Sequence, residues 1–263
     1  MARHLESGRG RPVVLLHAFP LSADMWRPQL DRVPDGWHFI APDFRGFQPP
    51  GSALHPSATT AVPSTLVDDY ARDVLELMDG LGIETAVIGG LSMGGYVTLA
   101  LHRLAPQRFA GMVLADTKAT ADTDEGKAGR RATADKLRAE GVGAVVEAML
   151  PKLLGETTRK KQPHIADDVR RLAMANEPQT IDEAIHALMT RPDSTSTLAR
   201  IAVPTLVVVG EEDVLTAQAD AQFLAGGIAG SELVVLPQAG HLSNLETPEA
   251  FSAALAQFLS RLL

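Results

Sequence analysis

A serine flanked by small residues stands at a predicted strand-to-helix turn. The segment Gly90-Leu91-Ser92-Met93-Gly94-Gly95 directly follows an apolar run and opens a predicted helix. A serine on such a sharp turn is held in a strained backbone conformation, so the residues two before and two after it must be small, as Gly90 and Gly94 are. The spacing therefore predicts that Ser92 is a nucleophile.

A serine hydroxyl is a weak nucleophile at neutral pH, so it needs a histidine as base and a carboxylate that orients that histidine. Of the eight histidines, His241 is favoured because it lies between the last predicted strand and the final predicted helix. Asp213 is the candidate acid because it follows the predicted strand 205–209. Since Ser92 also follows a strand, the three residues are predicted to meet at one edge of the sheet as a catalytic triad.

An oxyanion formed during attack by serine would need N–H donors. The backbone N–H of Met93, next to Ser92, lies at a helix N-terminus whose dipole favours negative charge. A second amide is expected from the loop His17-Ala18-Phe19-Pro20, which follows the first strong predicted strand. We interpret His17 as a residue that shapes this loop, and Pro42-Asp43-Phe44-Arg45-Gly46-Phe47 as a turn that orders the floor of the site.

Short apolar runs rich in Val, Ile and Leu alternate with helix-like segments along the chain. The predicted strands are residues 13–17, 38–41, 86–89, 112–115, 205–209 and 232–236. The predicted helices are residues 22–33, 66–81, 93–104, 218–225 and 248–262. This alternation predicts an α/β fold with a mostly parallel central sheet and helices on both faces.

Residues 118–193 break the alternation, because they show amphipathic helical patterns and no convincing strand. We interpret them as a helical cap inserted into a core formed by residues 1–117 and 194–263. Two interpretations of the methionines in the cap stay open, packing of the insertion and lining of a substrate pocket. These methionines are Met149, Met174 and Met189.

Taken together, these residues resemble the α/β-hydrolase superfamily over nearly the whole chain. The chain order Ser92, Asp213, His241 matches the Ser…Asp…His order of that family. Residues 239–249, with the sequence AGHLSNLETPE, are most similar to small bacterial carboxylesterases and 3-oxoadipate enol-lactonase-like members. Residues 118–193 lie where these relatives insert a helical cap.

The sequence departs from the family pattern in three places. Ala18 replaces the usual Gly of a His-Gly-Phe-Pro-like oxyanion segment, and Gln48 replaces the last glycine of a Pro-Asp-x-Arg-Gly-x-Gly-like segment. Relatives usually begin with a two-strand hairpin, but only nine residues, Ala2 to Gly10, stand between Met1 and Arg11. At most one short strand fits there, so the sheet edge is either shortened or covered by something else, and a homo-oligomer is one way to cover it.

The resemblance implies a serine hydrolase without cofactor or metal that cleaves a small carboxylic ester or lactone. The Phe19 and Met93 amides would form its oxyanion hole, and the cap would act as a lid. Ser92 disfavours haloalkane dehalogenase and epoxide hydrolase relatives, which place Asp at this position. Esterase, lactonase, perhydrolase and C–C hydrolase chemistry all use the same triad, and a receptor-like small-molecule binding protein on the same fold is the alternative of a different class.

Asp116 is the alternative acid, because it follows the predicted strand 112–115 and some superfamily members take their carboxylate from that strand. Asp213 is preferred because its turn follows the penultimate strand and reproduces the common chain order. Asp116 is then expected to cap the start of the insertion.

The composition limits the remaining classes of function. The 24 Lys and Arg residues are outnumbered by 32 Asp and Glu residues, and the net charge of −8 argues against a nucleic-acid surface. The absence of cysteine excludes disulfides, thiolate metal sites and a Cys nucleophile. No apolar run reaches the roughly 20 residues of a membrane span, and no signal-like apolar core follows the N-terminus. We therefore expect a cytoplasmic protein with neither a membrane nor a nucleic-acid partner.

Overall fold

A seven-stranded sheet organises the computed structural model, which describes residues 3–47 and 65–262. The strands are β1 (His4–Gly8), β2 (Arg11–Leu16), β3 (Trp37–Pro42), β4 (Ala86–Leu91), β5 (Phe109–Ala115), β6 (Thr205–Gly210) and β7 (Glu232–Leu236). Their spatial order is β1-β3-β2-β4-β5-β6-β7, and only the β1–β3 pair is antiparallel. The prediction of a mostly parallel α/β sheet is confirmed.

The helices cover the sheet on both faces, so every residue of the inner strands β4 and β6 is buried. The α-helices are α1 (Arg27–Leu30), α2 (Val67–Gly80), α3 (Met93–Leu104), α4 (Asp124–Leu153), α5 (Glu156–Lys161), α6 (Pro163–Met174), α7 (Pro178–Thr190), α8 (Thr195–Leu198), α9 (Gln218–Gly227), α10 (Ser243–Glu246) and α11 (Pro248–Ser260). None of these described helices is long and apolar enough to cross a membrane.

All six predicted strands are present, and β1 adds a seventh at the sheet edge. One short strand precedes β2, as the length of the N-terminal segment predicts. The predicted helix 22–33 is shorter than expected, because its first turn is a 3₁₀ helix, Ala23–Trp26, before α1 begins. Gln48 lies outside the described residues, and cover of the β1 edge by a second chain stays a prediction.

Every regular element within residues 118–193 is a helix, α4 to α7. Helix α4 is broken at Gly141, whose φ of 82° and ψ of 178° lie outside the helical region. A residue with a side chain adopts this positive φ only with strain, so glycine permits the break. The division of the chain into a core and a cap stays a prediction.

The carboxyl ends of the parallel strands lie at one edge of the sheet, and the predicted site residues follow them directly. Ser92 follows the central strand β4, Asp213 follows β6, and His241 lies between β7 and α10. The topology therefore brings residues far apart in sequence to one place.

Candidate active site

Ser92 occupies a tight turn between β4 and α3, with φ of 55° and ψ of −110°. A Cβ atom on Gly90 would lie 2.3 Å from the carbonyl carbon of Gly94, and a Cβ on Gly94 would lie 2.2 Å from the carbonyl oxygen of Leu16. Both distances are shorter than a van der Waals contact, so the turn requires glycine at both positions. The Ser92 N–H donates to the Ala115 carbonyl oxygen at 2.9 Å, which holds the strained turn against β5.

His241 connects Ser92 with Asp213 through two hydrogen bonds. Ser92 Oγ–H donates to His241 Nε2 at 2.8 Å, and His241 Nδ1–H donates to Asp213 Oδ2 at 2.8 Å. The His241 side chain is only 3% exposed and that of Asp213 is fully buried. The structure therefore brings together the three residues that the sequence selects, in the order hydroxyl, imidazole, carboxylate.

The Asp213 carboxylate is held by its own turn as well as by His241. Its Oδ1 accepts from the N–H groups of Leu215 and Thr216 at 2.8 and 3.1 Å, and its Oδ2 accepts from Thr216 Oγ1 at 2.7 Å. Burial alone would raise the pKa of Asp213, but the electrostatic attraction of His241 and these hydrogen bonds outweigh it and lower the pKa. Asp213 is thus an ionised group suited to fix the imidazole, and sequence reasoning had missed Thr216.

Asp116 contacts different partners from those expected. Its Oδ1 accepts from the Gly210 N–H at 2.8 Å, and its Oδ2 accepts from Ser243 Oγ. Within the described residues it makes no hydrogen bond with His241, and the N-cap of α4 is Thr123, whose hydroxyl accepts from the Gly126 N–H. The expectation that Asp116 caps the insertion is therefore wrong. Asp116, which follows β5, instead joins the last residue of β6 to the first residue of α10.

Asp116 is completely buried, and burial, together with the neighbouring Asp213 charge, raises its pKa well above the ordinary value of 3.8. The folded state therefore holds a proton that the unfolded chain releases above that value, and wild-type stability declines as the pH rises toward the folded-state pKa. Asp116→Asn mimics the protonated form. We expect the variant to lose part of this decline, measured as the free energy of urea unfolding between pH 5 and 8.

The pH dependence of unfolding in Asp116→Asn is compared with that of a variant altered at an exposed carboxyl group. Asp35→Asn is the matched control, because that carboxyl is solvent-exposed, and its pH dependence should follow that of the wild-type protein. Equal slopes for Asp116→Asn and the wild-type protein would show that Asp116 is ionised in the folded state.

Two backbone N–H groups near Ser92 are unpaired within the described part of the chain. These are the amides of Phe19 and Met93, from which no protein atom accepts a hydrogen bond. The neighbouring Ala18 N–H, in contrast, donates to the Met25 sulfur at 3.1 Å. Phe19, Ser92 and His241 line the same cavity. The arrangement leaves two donors for an anionic oxygen, as an oxyanion hole requires.

His17 is a structural residue of the Phe19 loop. Its Nδ1–H donates to the Ala18 carbonyl at 3.1 Å, and its Nε2 accepts from the Phe44 N–H at 3.1 Å. Complete burial lowers the pKa of His17 to about 4, so the ring is neutral. A second hydrogen bond joins the 42–47 segment to the chain that follows the Phe19 loop, because Asp43 Oδ1 accepts from the Ala23 N–H at 2.7 Å. These bonds agree with the interpretation of the 42–47 segment as a turn beneath the site.

A cavity of about 100 Å³ lies over Ser92 and His241. The insertion contributes five of its lining residues, Lys118, Arg130, Met149, Leu153 and Leu188. Of the three methionines considered, Met149 lines this cavity, Met174 is 55% exposed, and Met189 lines a separate cleft between α4 and α7. The amphipathic pattern alone had not distinguished them.

Glu246 is a further buried carboxyl that sequence reasoning had not assigned. Its Oε2 accepts from the Gly155 N–H at 2.8 Å, and its Oε1 accepts from the Leu242 N–H at 3.0 Å. The Leu242 N–H also donates to the Leu153 carbonyl at 3.2 Å. The segment after His241 is therefore bonded directly to the end of α4 and the residue before α5. Glu246 lies in the family-like segment 239–249, but the sequence does not indicate that its carboxyl group accepts from Gly155 and Leu242.

The sheet topology, the strained serine turn and the Ser–His–Asp contacts are together typical of an α/β hydrolase. The chain belongs to the alpha/beta hydrolase fold family, which it matches over residues 11–248.

Three relatives are similar to this chain over nearly its whole length. The 3-oxoadipate enol-lactonase 2 of Acinetobacter baylyi is 30% identical over 254 residues, covering 95% of this chain and 90% of that protein. A thermophilic esterase from Thermogutta terrifontis, solved with malate bound, is 36% identical with a TM-score of 0.91, covering 99% of this chain and 93% of its own. The enol-lactonase from Burkholderia xenovorans LB400 superposes with a TM-score of 0.86 at 27% identity, covering 98% and 96% of the two chains.

Proposed function

We propose that this protein is a serine hydrolase that cleaves a small carboxylic ester or lactone through an acyl-enzyme. The observation that carries the proposal is the continuous path from Ser92 Oγ to His241 Nε2 and from His241 Nδ1 to Asp213 Oδ2, with 2.8 Å at each step. This geometry lets a single imidazole take the serine proton while a carboxylate stabilises the cation that forms. The similarity to an esterase and to enol-lactonases supports the same class of reaction.

In the acylation step, Ser92 Oγ attacks the carbonyl carbon of the substrate while His241 Nε2 accepts the hydroxyl proton. The carbonyl oxygen becomes an oxyanion and accepts hydrogen bonds from the Phe19 and Met93 amides. Collapse of the tetrahedral intermediate breaks the bond to the alcohol oxygen, which takes the proton from His241. The acyl group is then an ester of Ser92.

In the deacylation step, water replaces the alcohol and His241 removes its proton. The resulting hydroxide attacks the acyl carbon, and the second tetrahedral intermediate forms at the same two amides. When the intermediate collapses, Ser92 recovers its proton from His241 and the carboxylic acid is released. A lactone gives a hydroxy acid by the same steps, because its alcohol remains joined to its acyl group.

The substrate is small. The cavity of about 100 Å³ is well below the roughly 300–1,000 Å³ usual for drug-sized ligands. Phe19, Tyr96, Met149 and Leu188 are among its lining residues, so part of its wall is apolar. We therefore expect short acyl chains to react faster than long ones.

Turnover of 4-nitrophenyl esters tests the proposal and separates an enzyme from a receptor. We expect many turnovers per molecule, with kcat/KM higher for the acetate and butyrate than for the decanoate, because the small cavity disfavours a long chain. The measurement is initial rate of 4-nitrophenol release, with small lactones followed in parallel by acid production. One equivalent of 4-nitrophenol released per protein, with no further turnover, would instead identify a receptor-like binding protein.

A further inference from the structure

We propose that Lys118 binds a carboxylate of the substrate, so that the preferred esters or lactones carry an acidic group. This inference rests on the proposed function and names the class of substrate for the same site. Among the described residues that line the cavity over Ser92, two carry a positive charge, Lys118 and Arg130, and none carries a carboxylate. The whole chain, in contrast, has a net charge of −8.

Lys118 is placed close to the reacting centre by its neighbour in sequence. Thr117 Oγ1 donates to the Ser92 carbonyl oxygen at 2.8 Å, so the chain passes beside the nucleophile just before it enters the insertion. The Lys118 side chain is partly buried, and no carboxylate of the described residues forms an ion pair with it. A partly buried ammonium gains most from a partner that replaces its lost hydration, and a substrate carboxylate is such a partner.

Arg130 contributes less than Lys118 because its charge is already paired. Its Nε donates to Asp122 Oδ2 at 3.1 Å, and Asp122 Oδ1 also accepts from Arg191 at 2.9 Å. The Asp122 carboxylate therefore pairs with two guanidinium groups, so the Arg130 charge is already partly compensated.

Arg191 lies behind one residue of the cavity wall. Its guanidinium lies 4.1 Å from the ring centre of Tyr96, which lines the cavity. The carboxylates nearest these arginines and the triad are Asp122, which pairs with Arg130 and Arg191, Asp193, whose pKa is lowered partly by Arg191, and Asp213, which is paired with His241. Lys118, in contrast, has no ion pair with a carboxylate of the described residues, so it is the cation of the cavity lining that is free to bind an anionic ligand.

The test compares substrates of matched shape that differ in charge. Monomethyl glutarate and methyl 5-methylhexanoate differ on the acyl side, and O-acetylglycolate and isobutyl acetate differ on the alcohol side. Initial rates are measured in a pH-stat at low ionic strength for the wild-type protein and for Lys118→Met. Lys161→Met is the control, because it removes the same charge from an exposed position in α5, outside the cavity.

We expect the wild-type protein to prefer one of the anionic esters, and Lys118→Met to lower kcat/KM for that ester by about tenfold to a hundredfold. The neutral ester of the same pair should change by less than about twofold, as expected where no ion pair is lost. Lys118→Arg should restore most of the preference, and salt should weaken it in the wild-type protein alone. The pair that responds shows whether the acyl or the alcohol part carries the carboxylate.

Equal rates within each pair, or an unchanged preference in Lys118→Met, would overturn the proposal for Lys118 while leaving ester hydrolysis intact. Calorimetric titration with glutarate gives a measurement independent of catalysis. Weaker glutarate binding by Lys118→Met than by Lys161→Met would support the anion site even if no ester were hydrolysed, in which case only the proposed hydrolase function would fail. Equal glutarate binding by the two variants would overturn the anion site.

Discussion

Ser92→Ala is expected to lower kcat for a short ester by about 10⁴- to 10⁶-fold while leaving the fold intact. The variant removes the one atom that bonds to the acyl group, so water must attack without a covalent intermediate. Alanine keeps the Cβ of serine, so the backbone strain of the turn at φ of 55° does not change. The oxyanion amides and the cavity remain, and they account for any residual rate.

The Ser92 assignment is checked by covalent labelling as well as by rate. A fluorophosphonate probe should label the wild-type protein at one serine, identified by mass spectrometry of peptides, and should not label Ser92→Ala. Ser260→Ala is the control, because this serine lies at the exposed end of α11 and bonds only to the Gln257 carbonyl. Labelling that persists in Ser92→Ala would show that a different residue is the nucleophile.

Asp213→Asn is expected to reduce turnover by about 10⁴-fold at neutral pH. An asparagine amide placed against His241 Nδ1 donates a hydrogen bond instead of accepting one, which favours the tautomer with its proton on Nε2. That tautomer has no lone pair on Nε2 to receive the proton of Ser92 Oγ. The affinity for substrate should change much less than kcat, since the Asp213 carboxylate is fully buried beneath the imidazole.

Asp116→Asn is the matched partner of this experiment, because it makes the same chemical change at a second buried carboxyl near the site. Its amide oxygen can accept from the Gly210 N–H, and its NH₂ group can donate to Ser243 Oγ, so both connections survive. We expect kcat within about threefold of wild type, the range of a minor structural change. A 10⁴-fold loss in Asp116→Asn with a silent Asp213→Asn would exchange the two roles.

Much of the sheet and the serine turn could be predicted from the sequence because both depend on local pattern. A fully buried parallel strand is a short continuous apolar run, and β4, β5 and β6 read in this way. The turn at Ser92 requires small residues at fixed spacing, and Gly90 and Gly94 meet that requirement within five residues.

The rest of the site depends on pairs that are distant in sequence and leave no periodic signal. Asp116 bonds to residues 94 and 127 positions away, and its correct partners follow only from the order of β5, β6 and α10 in space. The 3₁₀ turn before α1 and the break at Gly141 could not be predicted, because they depend on backbone angles that hydrophobic spacing does not report. Lys118 was passed over because a single lysine carries no pattern, and only the cavity shows what it faces.

Glu246 connects the predicted cap to the residue next to His241 by hydrogen bonds. Its carboxyl group accepts from Gly155, the residue before α5, and from Leu242, next to His241, so moving the Gly155 segment away from His241 breaks a buried hydrogen bond to a carboxylate, worth about 1.5–3 kcal/mol. Movement of the segment around Gly155 and displacement of His241 are therefore coupled through a single carboxyl group.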